Sequence, residues 1–343
     1  MSNTNSALPP NQVAAAVPAR LHANESPYGV PADIWQEIEE QLATLELNRY
    51  PNRAMRLFHQ ALSEHTGFPE EMILAGNGLE EIILLLLVAL GRKGRVILPT
   101  PTFFVYQQVA TALDLSVVEL PLIAESWQLN IPLIVEEAGQ EEGLIIICRP
   151  NNPTGNVFPR EDILRLLKET KLTVVVDEAY YGFSEETMLE DVPHHDRLII
   201  LRTFSKTYGL AGIRLGYLIA HPQLVEIIDK VRPTFNLNAL TATIGRVALR
   251  RQQELFAPLP TVIAERNWLA AELAGIPEVT VYPSETNFIL IKLPCAAAPL
   301  WQELRQVGIY VRQLGEEMPN YLRISVGLRL ENEKLVSALR QLL

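Results

Sequence analysis

Six short runs rich in β-branched residues recur through the first two thirds of the chain, with helix-like segments between them. They are "RVILP" (95–99), "SVVEL" (116–120), "LIIIC" (144–148), "LTVVV" (172–176), "RLIILR" (197–202) and "RLGYLIA" (214–220). This rhythm predicts a mostly parallel sheet flanked by helices, because parallel neighbours need a crossover long enough to hold a helix. "PREDILRLLKET" (159–170) reads as one such crossover, with Pro159 near its start and Ile163, Leu164, Leu166 and Leu167 on or near one stripe. Beyond about residue 222 longer helical stretches take over, followed by "TNFILIKL" (286–293), "GIYVRQL" (308–314) and "YLRISVG" (321–327). The 343 residues therefore divide into three expected parts. An arm over 1–30, kept extended by Pro9, Pro10, Pro18, Pro27 and Pro31, packs on the small domain or on a partner subunit. A large α/β domain spans 31–245, and a smaller C-terminal α+β domain spans 246–343.

Twenty-nine basic side chains against forty acidic ones give a formal charge of −11, which repels phosphate backbones and anionic membrane surfaces. Nucleic acid is not an expected partner. The longest apolar run, Ile82 to Leu90, is shorter than the ~20 residues a membrane helix needs, so no span is expected. The first twenty residues lack a basic n-region and a long apolar core, and read as an arm and not as a signal peptide. Cys148 and Cys295 lie far apart without CxxC spacing, which points to neither a disulfide framework nor zinc and to a reducing cytoplasm. His194 and His195 are adjacent, and adjacent residues rarely face one ion, so they read as a solvated loop and no metal is expected. His22, beside Asn24 and Glu25, stands where the arm meets either substrate or packing.

Three of the apolar runs are followed by polar loops: "RPNNPTG" after 144–148, "DEAYYG" after 172–176 and "TFSK" after 197–202. In open α/β sheets ligands bind beyond the carboxyl ends of the strands, so these loops are expected to line one mouth. "AGNGLEE" (75–81) adds two glycines before an apolar helix, where free N–H groups and the helix dipole favour an anion. Alone, Asp177 is a strand-end turn former, Lys206 a surface lysine and Arg214 a structural ion-pair partner. Together they fit one chemistry. A desolvated lysine near another cation is a neutral amine that attacks aldehydes, and pyridoxal phosphate is an aldehyde with three further demands. It needs a carboxylate at the pyridine nitrogen, a donor at the phenolic oxygen and an anion site, for which Asp177, Tyr180 and Arg214 are available. Thr203, Ser205 and the helix start from Gly78 to Glu80 add donors for the phosphate.

At these residues the chain resembles fold-type I pyridoxal-phosphate aminotransferases, and the histidinol-phosphate aminotransferase family in particular. "SKTYGLAGIRLGY", "PNNPTG" and "DEAYYGF" carry the wider likeness; "RYPN" (49–52), "GNGLEE", "VRPTFNLNAL" and "SETNFILI" carry the narrower one. The resemblance implies that Lys206 forms the internal aldimine and moves the proton between Cα and C4′. It implies that Asp177 pairs with the pyridine nitrogen, and Tyr180 and Asn152 with the phenolic oxygen. Thr203, Ser205, Arg214 and the amides of Gly78 and Leu79 would hold the phosphate, with Tyr50 reaching it from the second subunit of a homodimer. Arg323 would receive the substrate's carboxylate or phosphate, with Asn24, Tyr50 and Asn152 also on the substrate. The resemblance implies that Phe103 would stack on the ring, where the family usually has tyrosine. Leu79-Glu80 stand where it has a serine with Asp or Asn, and Arg149 and "GLRLEN" depart from it in ways that bear on the substrate.

The implied reaction is amino transfer between histidinol phosphate and 2-oxoglutarate, with glutamate as the returning donor. Two alternatives stay open: an aromatic amino acid aminotransferase, and a lyase like the threonine-phosphate decarboxylases. A dinucleotide-binding module is disfavoured, because "GNGLEE" ends in Glu81 where GxGxxG needs glycine or alanine.

Overall fold

The computed structural model describes residues 18–343; Pro9, Pro10 and the rest of the arm's first 17 residues lie outside the described residues. The strands in chain order are β1 (Ala19–Leu21), β2 (Ile73–Gly76), β3 (Arg95–Thr100), β4 (Val117–Pro121), β5 (Glu142–Cys148) and β6 (Lys171–Asp177). They continue as β7 (Leu198–Thr203), β8 (Gly216–Ala220), β9 (Thr280–Val281), β10 (Phe288–Lys292), β11 (Ile309–Gln313) and β12 (Tyr321–Ser325).

Seven of these form one sheet in the order β2-β8-β7-β6-β5-β3-β4. The β4–β3, β3–β5, β5–β6 and β6–β7 pairs are parallel, as the alternating pattern predicts. Strand β8 runs antiparallel to β7 and to β2. The reason is the connection: residues 204–215 hold only a short 3₁₀ turn at Ala211–Ile213, too little for a helical crossover. Central strands are buried on both faces, so their apolar runs do not alternate with polar residues. Ile145, Ile147, Val174 and Val176 join one core, while Leu144, Ile146 and Val175 join the other.

The crossover between β5 and β6 is a helix at Arg160–Glu169, with Pro159 at its N-cap, acidic residues in its first turn and Lys168 in its last. Helix Leu79–Leu90 buries seven apolar side chains. At about 1.5–3 kcal/mol each, that burial fixes the helix to the sheet, and with it the position of its N-terminus. The turn before it requires Gly78: φ is +84°, and a Cβ there would lie 2.8 Å from Nη2 of Arg214.

The second sheet has the order β1-β11-β12-β10-β9. Strand β1, from the arm, pairs in parallel with β11 and places Leu21 opposite Val311. Residues His22 to Glu25 then pass from this sheet to the large one. The helix Ala239–Arg250 contributes Ala242, Val247 and Ala248 to the core of the large sheet.

Candidate active site

A cavity of about 1120 Å³ opens where the carboxyl ends of β5, β6 and β7 face β11, β12 and the arm. Its walls include Asn24, Leu79, Phe103, Asn152, Asp177, Tyr180, Thr203, Ser205, Lys206, Arg214 and Arg323, so residues spread over three hundred positions converge.

Asp177 ends β6 with its carboxylate 2% exposed. Oδ2 accepts from the Tyr106 hydroxyl at 2.5 Å, and Oδ1 accepts from the Ala179 N–H at 2.9 Å. Burial pushes the carboxyl up to about 6, against the pull of those two donors. Lys206 donates from Nζ to the carbonyls of Ala23 at 3.1 Å and Asn24 at 3.0 Å. Burial, and then the charge of Arg323, lower its pKa to about 8.

The Tyr180 hydroxyl accepts from Asn24 Nδ2 at 2.9 Å and from Asn152 Nδ2 at 3.2 Å. Burial pushes this phenol well up. Its proton is thus retained, and with both contacts incoming the hydroxyl is free to donate into the cavity. Asn24 is buried at φ +53°, and Ser325 Oγ both accepts its N–H and donates to its Oδ1, each at 2.8 Å. The Asn24 side chain is therefore engaged by Tyr180 and Ser325.

Arg323 donates to Asn152 Oδ1 at 2.7 Å and to the His22 carbonyl at 2.6 Å, while its buried Nε has no partner among the described residues. Burial lowers its pKa to about 10, and the Arg312 charge adds to that fall. Arg312 is the direct register partner of Arg323 across β11 and β12, and both face the cavity. Like charges directly opposite on a sheet repel. Sequence reasoning did not single out Arg312; its signal is a lone charge in the apolar strand "GIYVRQL".

An anion cup lies at the other end. Thr203 Oγ1 donates to Ser205 Oγ at 3.0 Å, and Arg214 Nη1 approaches the same oxygen at 3.5 Å. Arg214 takes a left-handed backbone, φ +50°, and its guanidinium stands against Gly78. Glu80 lies 3.8 Å from that guanidinium, and the Leu79 side chain is buried, so the helix offers its N-terminal N–H groups here. Phe103 lines the cavity with its ring edge-on to Tyr106 at 5.5 Å.

Three further side chains lie outside this cavity. Tyr50 is 76% exposed, stacks on Phe235 at 4.6 Å and does not line the cavity of its own chain. Arg149 is 1% exposed, donates to the Phe158 carbonyl at 2.6 Å and pairs with Glu186. In "GLRLEN" Arg329 pairs with Glu265 at 2.8 Å and lies over the Trp268 ring. The Arg149 and Arg329 side chains are thus taken up by packing and ion pairs outside the cavity.

The donor set fits pyridoxal phosphate. A buried carboxylate, a lysine of lowered pKa and a phenol with a free proton share one cavity with an anion cup whose glycine leaves room for a guanidinium. Among the described residues no group of three or more His, Cys, Asp or Glu could hold a metal, and no helix is long and apolar enough to cross a membrane.

The family described as aminotransferase class I and II matches residues 18–339. A histidinol-phosphate aminotransferase of Desulfitobacterium hafniense is 37% identical over 334 residues, covering 94% of this chain and 91% of that protein. Among solved structures, the histidinol-phosphate aminotransferase of Sinorhizobium meliloti in complex with pyridoxal-5'-phosphate superposes with a TM-score of 0.86 at 23% identity, covering 95% and 90% of the two chains. The L-threonine-O-3-phosphate decarboxylase of Porphyromonas gingivalis superposes with a TM-score of 0.82 at 23% identity, covering 94% and 99%. At that identity both structures speak to the fold alone.

Proposed function

The chain belongs to the aminotransferase class I and II family, and from that premise we propose a pyridoxal-phosphate-dependent aminotransferase that exchanges amino groups between histidinol phosphate and 2-oxoglutarate. The observation that carries this reading is the meeting, in one cavity, of Lys206 and Asp177 with two arginines in direct cross-strand register, Arg312 and Arg323. Such a pair repels itself in the free protein, and an anionic substrate group offsets the repulsion. A substrate phosphate and a glutamate carboxylate both meet that demand.

When bound, pyridoxal phosphate supplies an aldehyde that joins amines and a ring that draws electrons from the substrate Cα–H bond. Lys206 would hold the aldehyde carbon, Asp177 the ring nitrogen, and Tyr180 with Asn152 the phenolic oxygen. Thr203, Ser205, Arg214 and the N–H groups of Gly78 and Leu79 would hold the phosphate, with Phe103 against the ring. Lys206 also moves the proton at the substrate Cα, a task that an amine titrating at about 8 suits at neutral pH. Arg323 takes the substrate's anionic end, and Asn24 and Asn152 set its position. Tyr50, presented outward on Phe235, supports a homodimer in which it would reach the partner's phosphate cup. A cytoplasmic location fits two free cysteines, one buried and one exposed.

The test is the visible spectrum of the purified protein with and without glutamate, followed by kcat/KM for histidinol phosphate and for phenylalanine, each with 2-oxoglutarate. A glutamate-dependent spectral change and a preference for histidinol phosphate are expected. A preference for phenylalanine, or release of carbon dioxide from O-phosphothreonine, overturns the substrate assignment.

A further inference from the structure

We infer that Tyr106 is a positioning residue that aims the Asp177 carboxylate into the cavity and keeps it anionic, an inference that rests on the reading of Asp177 as the partner of the cofactor's ring nitrogen. Tyr106 sits in the helix Val105–Ala112 and is 0% exposed, behind the cavity wall that Phe103 forms. Its hydroxyl reaches Asp177 Oδ2 at 2.5 Å, a length typical of a bond to a charged acceptor. Each oxygen of Asp177 thus holds one protein donor, Tyr106 on Oδ2 and the Ala179 N–H on Oδ1, which fixes the plane of the carboxylate. Two of its roughly four acceptor positions are left for a ligand.

The chemistry explains why a phenol stands there. A carboxylate 2% exposed is costly and tends to take up a proton, and a neutral acid could not pair with a protonated ring nitrogen. The groups facing Asp177 are Tyr106, Cys148 at the end of β5, Glu178 and Tyr180 on its own loop, and Lys206 beyond β7. Glu178 is committed to Arg202 at 2.9 Å, and burial pushes the Cys148 thiol and the Tyr180 phenol up, so neither ionises at neutral pH. Burial raises the Tyr106 phenol as well. It therefore remains a donor across the working pH range.

The test measures cofactor binding and not turnover. Apoprotein is titrated with pyridoxal phosphate between pH 5 and 9, and Kd is read from tryptophan quenching for wild type, Tyr106→Phe, Asp177→Asn and the double variant. Loss of one bond to a charged group is expected to raise Kd about ten- to a hundred-fold in Tyr106→Phe. The pH below which affinity falls is expected to move up by about one to two units, because Asp177 then protonates more readily. Tyr106→Phe should add less than about two-fold in the Asp177→Asn background, since the phenol acts through the carboxylate. Replacement of Tyr106 by 3-fluorotyrosine, a stronger donor of nearly equal size, is expected to move the pH midpoint down; it decides the matter should Tyr106→Phe fail to fold. An unchanged Kd and midpoint, additive losses in the double variant, or an upward shift with fluorotyrosine would overturn the inference. Failure of wild type to bind pyridoxal phosphate would instead overturn the reading of the cavity.

Discussion

Arg312→Met should make the free protein slightly more stable and the enzyme worse, and the two signs come from one geometric fact. Arg312 and Arg323 face each other across β11 and β12, and Arg312 contributes to the lowered pKa of Arg323. Methionine keeps most of the side-chain length and removes one charge. Relief of a like-charge cross-strand pair is worth roughly 0.2–1 kcal/mol, and the exposure of Arg312 to solvent screening puts the gain at the lower end. Against that, one charge-assisted contact to a substrate phosphate is worth about 1.5–3 kcal/mol, or about ten- to a hundred-fold in kcat/KM. The assay pairs a thermal melt of the apoprotein with kcat/KM for histidinol phosphate and for phenylalanine. A Tm equal to or above wild type is expected, with the loss confined to the phosphorylated substrate. A clear fall in Tm, or equal losses on both substrates, would refute the argument, because Arg312 would then be a packing residue and not half of an anion site.

Glu178→Ala should cost ~3–5 kcal/mol and lower the urea midpoint, since it strips a buried guanidinium of its partner; Glu178 accepts from Arg202 at 2.9 and 3.1 Å and from the Met188 N–H at 2.6 Å. The double change Glu178→Leu with Arg202→Met should return most of that loss in the same titration. Capture of pyridoxal phosphate by the apoprotein should rise with pH through about 8, because the neutral amine of Lys206 prevails above its lowered pKa; stopped-flow absorbance reads this, and a midpoint near the ordinary lysine value would contradict the site's electrostatics. Lys206→Ala should still bind the cofactor yet lose about 10²–10⁴-fold or more in turnover, measured by coupled assay, and near-normal rates would remove Lys206 from its role. Mixing Tyr50→Ala with Lys206→Ala should restore up to about a quarter of wild-type sites, since half the dimers are mixed and one of their two sites is whole; no recovery would exclude Tyr50 from the partner's site.

Much of the architecture was legible because it depends on local periods. β-branched runs with helical spacers specify a parallel sheet, and loops leaving the carboxyl ends of its strands must share one edge, which groups Asn152, Asp177 and Lys206. The direction of β8 is not written in its own residues, because orientation is set by the length and path of its connection. Arg149 sits in a loop at the right edge, yet its side chain turns inward to Phe158 and Glu186, and no local pattern records that choice.

The primary structure by itself determined the class of fold, the edge where chemistry happens and the kinds of group gathered there, since each follows from short-range periodicity and residue type. Tertiary packing alone decided which groups touch. Tyr106 meets Asp177 from 71 positions away, Asn24 meets Ser325 from 301, and Arg312 is set against Arg323 by strand register. These contacts tune charge, because burial and neighbouring dipoles shift a pKa only once distant segments have closed around it.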